Sequence, residues 1–361
     1  MLSGSCLIEN STIANNSAGK GGTGAYASLQ AGTGGAGGDG GGIFLYSNTT
    51  GIVVNSTIAN NSAGQGGAGG QASSGPVSGN GGPGGDGGGV YGGTNMVFLN
   101  DTITGNKAGA GGLPGPTFTV PYPPFTIMGQ PGPAGSVGGV NTQSASIGNT
   151  IIAANVGRDP DAAGSFNSQG RNLIGVVTAQ NTGWVASDLT GTADAPLDPR
   201  LAPLGDYGGP TPTIALLAGS PALDHGDNAL LSLSGQPSIT TDQRGFARIF
   251  NGTVDIGAFE AQPPAVGGDL NHDGATNFAD LLTLAQSYGQ SVPVWEQGDL
   301  TGDGSVQFAD LLVLAQNYGK GAAPTAAASA LTQPAAVQTT NLDRRRTRSS
   351  KGLPPRRVLW Q

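Results

Sequence analysis

Two stretches of this chain place oxygen-bearing side chains at a spacing that suits a hard cation. They begin at Asp269 and Asp299, 30 residues apart. In the first, side-chain oxygens fall at loop positions 1, 3, 5, 9 and 12: Asp269, Asn271, Asp273, Asn277 and Asp280. In the second they are Asp299, Thr301, Asp303, Gln307 and Asp310. Position 7 lends a backbone carbonyl in such loops, here from Ala275 and Ser305. Calcium takes about six to eight oxygens, which a curling loop supplies from alternate positions. Gly274 and Gly304 stand at position 6, where the sharp turn calls for a positive φ. One Asp-rich loop could be an ordinary turn. Two matched loops predict two calcium ions.

These loops need helices to close them. Phe278, Leu281, Leu282, Ala285 and Tyr288 recur at helical spacing and predict an apolar stripe that begins as the first loop ends. The second copy repeats the pattern, and Gly289 and Gly319 stand where a helix ends in an αL residue. The segment resembles a type I dockerin, over about 50 residues. The resemblance implies a calcium-folded module that plugs into a cohesin-like domain. Asp280 and Asp310 at position 12, in place of Glu, agree with it. It also implies partner-recognition residues at positions 10 and 11, here Phe278, Ala279, Phe308 and Ala309. The usual pair there is small and polar, so this chain departs from the pattern. Thr276, in place of an aliphatic residue, is a smaller departure, and Thr301 at a ligand position predicts weaker binding by the second loop.

The rest of the chain has different punctuation. Asn10-Ser-Thr-Ile-Ala-Asn-Asn-Ser-Ala-Gly recurs unchanged at Asn55 and in altered form at Asn100, 45 residues on each time. A degenerate copy follows at Asn149, and Gly-Gly phrases at Gly41, Gly88 and Gly138 accompany the series. Periods of about 20–50 residues mark solenoids or propellers. Within a unit, residues 43–63 suffice for one coil of short β-branched strands. Residues 64–87, mostly Gly, Ala and Ser, read as a long flexible loop on one flank. Stacked coils would let aligned Asn side chains ladder at the turns. Residues 1–185 resemble the right-handed parallel β-helix of pectate-lyase-like and outer-membrane repeat proteins. The expected fold is therefore mainly β: a solenoid, a β/loop cap, then a small α-helical calcium module.

Composition excludes much. Of 361 residues 66 are glycine and 11% are charged, which argues against a helical bundle. Residues 1–320 hold 8 basic and 22 acidic side chains, against 7 and 1 in residues 321–361. An acidic body disfavours nucleic acid, which is held by clustered Lys and Arg. Cys6 is the only cysteine, so no disulfide framework is expected. No apolar run reaches the ~18 residues of a membrane helix. Met1 falls inside a repeat and no signal peptide is visible, so the expectation is a missing N-terminal portion of an extracellular or cell-surface protein.

Several motifs carry little. The Gly-Gly-x-Gly-Gly-Asp phrases ending at Asp39 and Asp86 resemble calcium nonapeptides. They are 47 residues apart rather than tandem, and the residue two after each Asp is glycine. Catalysis would require an acid/base pair. Lys20, Lys107, Arg158 and Arg171 are scattered, and both histidines, His225 and His272, lie outside the solenoid. A silent stalk is the plainer reading. The rival is a dockerin-borne polysaccharide lyase or glycoside hydrolase, and the third possibility a protein-binding adhesin using the Gly-rich flank. Extracellular polysaccharide is the ligand class that the β-helix resemblance implies.

From Leu197 the phrases Leu-Asp-Pro-Arg, Gly219-Ser-Pro-Ala-Leu-Asp-His-Gly-Asp227, Thr241-Asp-Gln-Arg-Gly-Phe-Ala-Arg248 and Val254-Asp-Ile-Gly-Ala-Phe-Glu260 resemble the end of choice-of-anchor Q proteins, bacterial surface β-helices. In that place they are expected to cover the open end of a solenoid. Asp224, Asp227, Asp242, Arg244, Asp255 and Glu260 read as a buried Arg–carboxylate network rather than a metal cluster. The predicted domains are 1–185, 186–262, 263–320 and a disordered, terminally basic tail at 321–361.

Overall fold

The computed structural model describes residues 5–321 except 29, 47–48, 73–77, 117–119, 122–123, 126–127, 233–237, 263–265, 272–273 and 292–293. His272, Asp273 and the tail from residue 322 thus lie outside the described residues. The described residues belong to one compact unit, Met1–Ala323.

The architecture is mainly β, built from parallel sheets, with two α-helices among the described residues. One sheet runs in the order Ser5–Glu9, Thr50–Val54, Met96–Leu99, Val140–Gly148, Ala162–Gly170, Asn181–Thr182. Another runs Thr12–Ala14, Thr57–Ala59, Thr102–Thr104, Ile151–Ala153, Leu173–Ile174, Leu189–Thr190. Every neighbour in these two series is parallel. The 45-residue repeat becomes register: Ile13 pairs with Ile58, Ile58 with Ile103, and Ile103 with Ile152. Those isoleucines meet Val53, Phe98 and Ile147 of the first sheet in one buried cluster. The core repeats because the sequence does.

The corner between the sheets needs left-handed backbone. Asn10, Asn55, Asn100 and Asn149 take it, with φ of 48–54°, a conformation that Asn tolerates better than most residues. The next corner holds the side-chain ladder expected at the turns. Asn61 Oδ1 accepts the backbone N–H and side-chain amide of Asn16, Asn106 does the same for Asn61, and Asn155 for Asn106. The ladder ends on Asp161 Oδ1, an acceptor that needs no further rung. Burial pushes the Asp161 carboxyl up to about 6. A second column runs Ser56, Asp101, Thr150, Asn172, Asp188, each receiving a backbone N–H from the coil before.

The described parts of the glycine-rich segments are hydrogen-bonded rows rather than flexible loops, and the expectation there is corrected. Ala18, Gly21 and Gly24 donate to the carbonyls of Ser62, Gln65 and Ala68. Ala63, Gly66 and Gly69 repeat this onto Lys107, Ala110 and Leu113. A second row runs the other way: Gly34 and Gly37 donate to Asn80 and Pro83, and Gly81 and Gly84 to Gln130 and Pro133. The rows are tied together, with Gly64, Gly67 and Gly70 donating to Gly38, Gly35 and Gly32. Donors at every third residue match the three-residue turn of a polyproline-II-type helix, which makes no internal hydrogen bonds and must bond its neighbours. Such segments approach too closely for side chains. A Cβ on Gly67 would lie 1.9 Å from the Gly22 carbonyl oxygen.

Proline obeys the same phase. Pro83 and Pro133 fall where the residue accepts but does not donate. Pro114 and Pro131 occupy the donor phase of the last coil, where proline removes an N–H that would otherwise be orphaned. Asp39 and Asp86 end the rows structurally: Asp39 Oδ1 accepts the Asp86 N–H at 2.8 Å, and Asp86 Oδ1 accepts that of Ser136.

The described residues of 198–260 do not lie over an open end. They run along the flank of the stack, crossing coil after coil. Gln243 bonds Thr12 Oγ1 at 2.7 Å and Thr57 Oγ1 at 2.6 Å, and the Ala258 N–H reaches Thr102 Oγ1 at 3.0 Å. Gly257 donates to the Asn149 carbonyl, and Arg248 Nη2 to Asn100 Oδ1 at 3.1 Å. The threonine column of the repeat is what makes this docking possible: it presents a hydroxyl on successive coils.

Candidate metal centre

The first helix, α1, spans Phe278–Ser287, and the second, α2, spans Phe308–Asn317. Both start with a reciprocal cap. Asn277 Oδ1 accepts the Ala279 N–H at 2.8 Å while Asp280 Oδ2 accepts the Asn277 N–H at 2.8 Å. Asp310 Oδ2 accepts the Gln307 N–H at 2.8 Å. The other oxygen of each aspartate closes its own loop. Asp280 Oδ1 accepts from the backbone of Leu270 at 2.7 Å and Asn271 at 3.2 Å. Asp310 Oδ1 accepts from Thr301 N at 2.9 Å and Thr301 Oγ1 at 3.0 Å.

Position 1 closes the loops from the other side. Asp269 Oδ2 accepts the Gly274 N–H at 2.8 Å. Asp299 accepts from Asp303 and Gly304, each at 3.1 Å. The turns rest on positive φ at Gly274 (89°) and Gly304 (95°), as the spacing predicts. Asp303 accepts from Ser305 N and from Gln307 Nε2. The structure therefore gathers Asp269, Asn271, Ala275, Asn277 and Asp280 in one loop, and Asp299, Thr301, Asp303, Ser305, Gln307 and Asp310 in the other. Asp273 lies outside the described residues.

Asp269, Asp280, Asp299 and Asp310 are all buried. Burial raises the Asp299 carboxyl above its usual range, the neighbouring Asp310 charge adds to that, and backbone N–H groups oppose it. Among the described residues no three carboxylates, imidazoles or thiols converge on one point. The fit to a cation thus rests on the donor chemistry: carboxylate, amide, hydroxyl and carbonyl oxygens in two matched loops, the set a hard ion takes.

The loops and helices clip one another symmetrically. Thr276 donates to the Lys320 carbonyl and accepts from Gly319, while Val306 donates to Gln290 and accepts from Gly289. Leu270, Leu284, Val306 and Leu314 form the buried core of this module. The predicted apolar stripe is split. Leu281 packs against that core, but Phe278 and Phe308 are each 67% exposed, as are large parts of Leu282, Leu312, Tyr288 and Tyr318. Helical spacing counted them as one face; the short helices bury only the leucines on the loop side. Ala279 and Ala309 are exposed beside the two phenylalanines.

Asp242, Asp255 and Glu260 of the flank segment form an Arg–carboxylate and backbone network, whereas Asp224, expected in it, is exposed and joins only through its own N–H. Arg244 Nε meets Asp242 Oδ2 at 2.8 Å, and its Nη2 donates to the Glu260 carbonyl at 2.7 Å. Asp255 accepts the N–H groups of Asp224 and Ala261, and Glu260 those of Phe250 and Asp255. Asp227 accepts from Ala229. Burial pushes Asp255 up to about 6 and Glu260 up to about 8. One member has no signal in the sequence: Glu296, whose Oε1 lies 2.7 Å from Arg244 Nη1. It belongs to no repeat and to no loop position.

No protein-family model matches the chain, and no curated protein or solved structure matches it either.

Proposed function

We propose that this chain is a non-catalytic, right-handed parallel β-helix protein of the extracellular or cell-surface space, held to a cohesin-like partner by a type I dockerin-like module at residues 263–320. Residues 186–262 act in this reading as a choice-of-anchor Q-like region. The rung-by-rung parallel pairing of the 45-residue repeat supports the solenoid. The observation that carries the attachment reading is the duplicated loop closure: buried Asp280 and Asp310, each at a helix start, folded back onto their own loops.

Calcium, when bound, supplies the positive charge that these carboxylates otherwise lack. Asp299, Thr301, Asp303, Gln307 and Asp310, with the Ser305 carbonyl, would hold one ion, and the matching residues of the first loop the other. By holding the loops closed they fix the start of each helix and so present Phe278, Ala279, Phe308 and Ala309 together. The carboxylates of Asp242, Asp255 and Glu260 are engaged by arginine or backbone N–H groups, which supports a structural role for them.

The test is capture of the full chain by immobilised cohesin-like domains, with calcium and with chelator. Capture should require calcium, and Phe278→Ser with Phe308→Ser should abolish it while leaving calcium binding intact. Equal capture in chelator would contradict the reading.

A further inference from the structure

We propose that calcium occupancy of the Asp299–Asp310 loop is thermodynamically coupled to the docking of the flank segment on the β-stack, through Glu296. This rests on the calcium reading and adds a consequence for the whole compact unit.

The two loops are near copies, and the approach to the second is fastened outside the module. Next to the loops themselves the approaches match: a Cβ on Gly268 would meet Thr276 and Leu314, and one on Gly298 would meet Val306 and Leu284. The second is reached through a 3-10 turn, Trp295–Gln297, followed by Gly298 at φ 111° and then Asp299. That turn is fastened to the flank segment. Glu296 pairs with Arg244 with both side chains buried. Gln297 Nε2 donates to Tyr207 Oη at 3.2 Å. Val294 packs in the cluster that includes Ile151, Leu216 and Phe259, where the β-stack meets the flank segment.

Arg244 is the hub. Besides Glu296 it holds Asp242, the Tyr207 carbonyl at 3.0 Å and the Glu260 carbonyl, and its guanidinium lies 3.6 Å from the Phe259 ring centroid. A cavity of about 340 Å³ opens beside this contact, and Asp299 lines it together with Leu223, Phe259 and Trp295. The first ligand of the second loop is therefore three residues from an ion pair whose other half fixes the flank segment to the stack. Closing that loop on an ion restricts the turn, and a restricted turn holds Glu296 on Arg244. Coupling is reciprocal: whatever the ion gives the flank segment, the docked flank segment gives the ion.

Hydrogen exchange on the full chain, with and without calcium, tests this. The reporter amides are Gln243, Arg248 and Ile256, which bond Ala258, Thr240 and Ala222 within the flank segment. Calcium should slow their exchange on the order of 5–150-fold, the span of typical coupling energies. The protection should survive Asp280→Asn, which disables the first loop. It should vanish in Asp310→Asn and in Glu296→Gln, which keeps the side chain's shape. Should Glu296→Gln fail to fold, the Asp280→Asn and Asp310→Asn pair still decides. If calcium protects the helices but not the flank amides, or if Glu296→Gln folds and keeps full protection, the coupling is overturned. If calcium protects neither, the calcium reading itself fails.

Discussion

Arg244→Ala is expected to lower the unfolding free energy by about 3–5 kcal/mol, the cost of removing one partner from a buried charge cluster. The arginine is fully buried, and its loss would remove the ion pairs that Asp242 and Glu296 each make with it. It would also orphan the carbonyls of Tyr207 and Glu260. A domain's total stability is about 5–15 kcal/mol, so the change should be visible as a large fall in the urea midpoint. Arg158→Ala is the control, since Arg158 is 77% exposed beside Asp159. Surface pairs of that kind contribute about 0–1 kcal/mol. Equal shifts in the two variants would mean that the network does not hold the flank segment in place.

Gly67→Ala should destabilise as strongly, although it adds one methyl group. That methyl has no space: its carbon would lie 1.9 Å from the Gly22 oxygen and 2.7 Å from that of Gly21. The Gly22 carbonyl already accepts the Gly35 N–H, so relief would break the array. Overpacking costs about 1–3 kcal/mol, and more where backbone must move. The expected loss is about 3 kcal/mol or more, read as a drop in thermal midpoint. Gln65→Ala, exposed two residues away, should change stability by only about 0.5 kcal/mol. If Gly67→Ala behaved like Gln65→Ala, the glycine rows would be the loose flank that their composition suggests.

That contrast shows where the sequence was legible. The recurring Asn-Ser-Thr-Ile phrase announced its own register, because identical residues stack on successive coils. The recurring Asp and Asn spacing and the position-6 glycines announced the loops, because a sharp turn at positive φ admits few residue types. The glycine rows were unreadable by the rules for turns. Glycine there is selected for close approach, and its partners lie in other coils about 44 or 46 residues away. A period of three in glycine and proline was the available signal. The flank segment was misplaced because a cap was expected at an end, whereas its docking partner is the threonine column at Thr12, Thr57 and Thr102. Glu296 carried no signal, since its meaning comes from Arg244, 52 residues away. Phe278 and Phe308 were counted into an apolar stripe by spacing alone, and spacing does not say which side a short helix buries.

The most direct measurement is a calcium titration of the full chain by calorimetry, with helical circular dichroism followed in parallel. The account predicts two ions per chain, one lost in Asp280→Asn and the other in Asp310→Asn, with helical signal rising as calcium binds, because binding and loop folding are one free energy. A chain that takes up no calcium and keeps its helical signal in chelator would contradict the central claim.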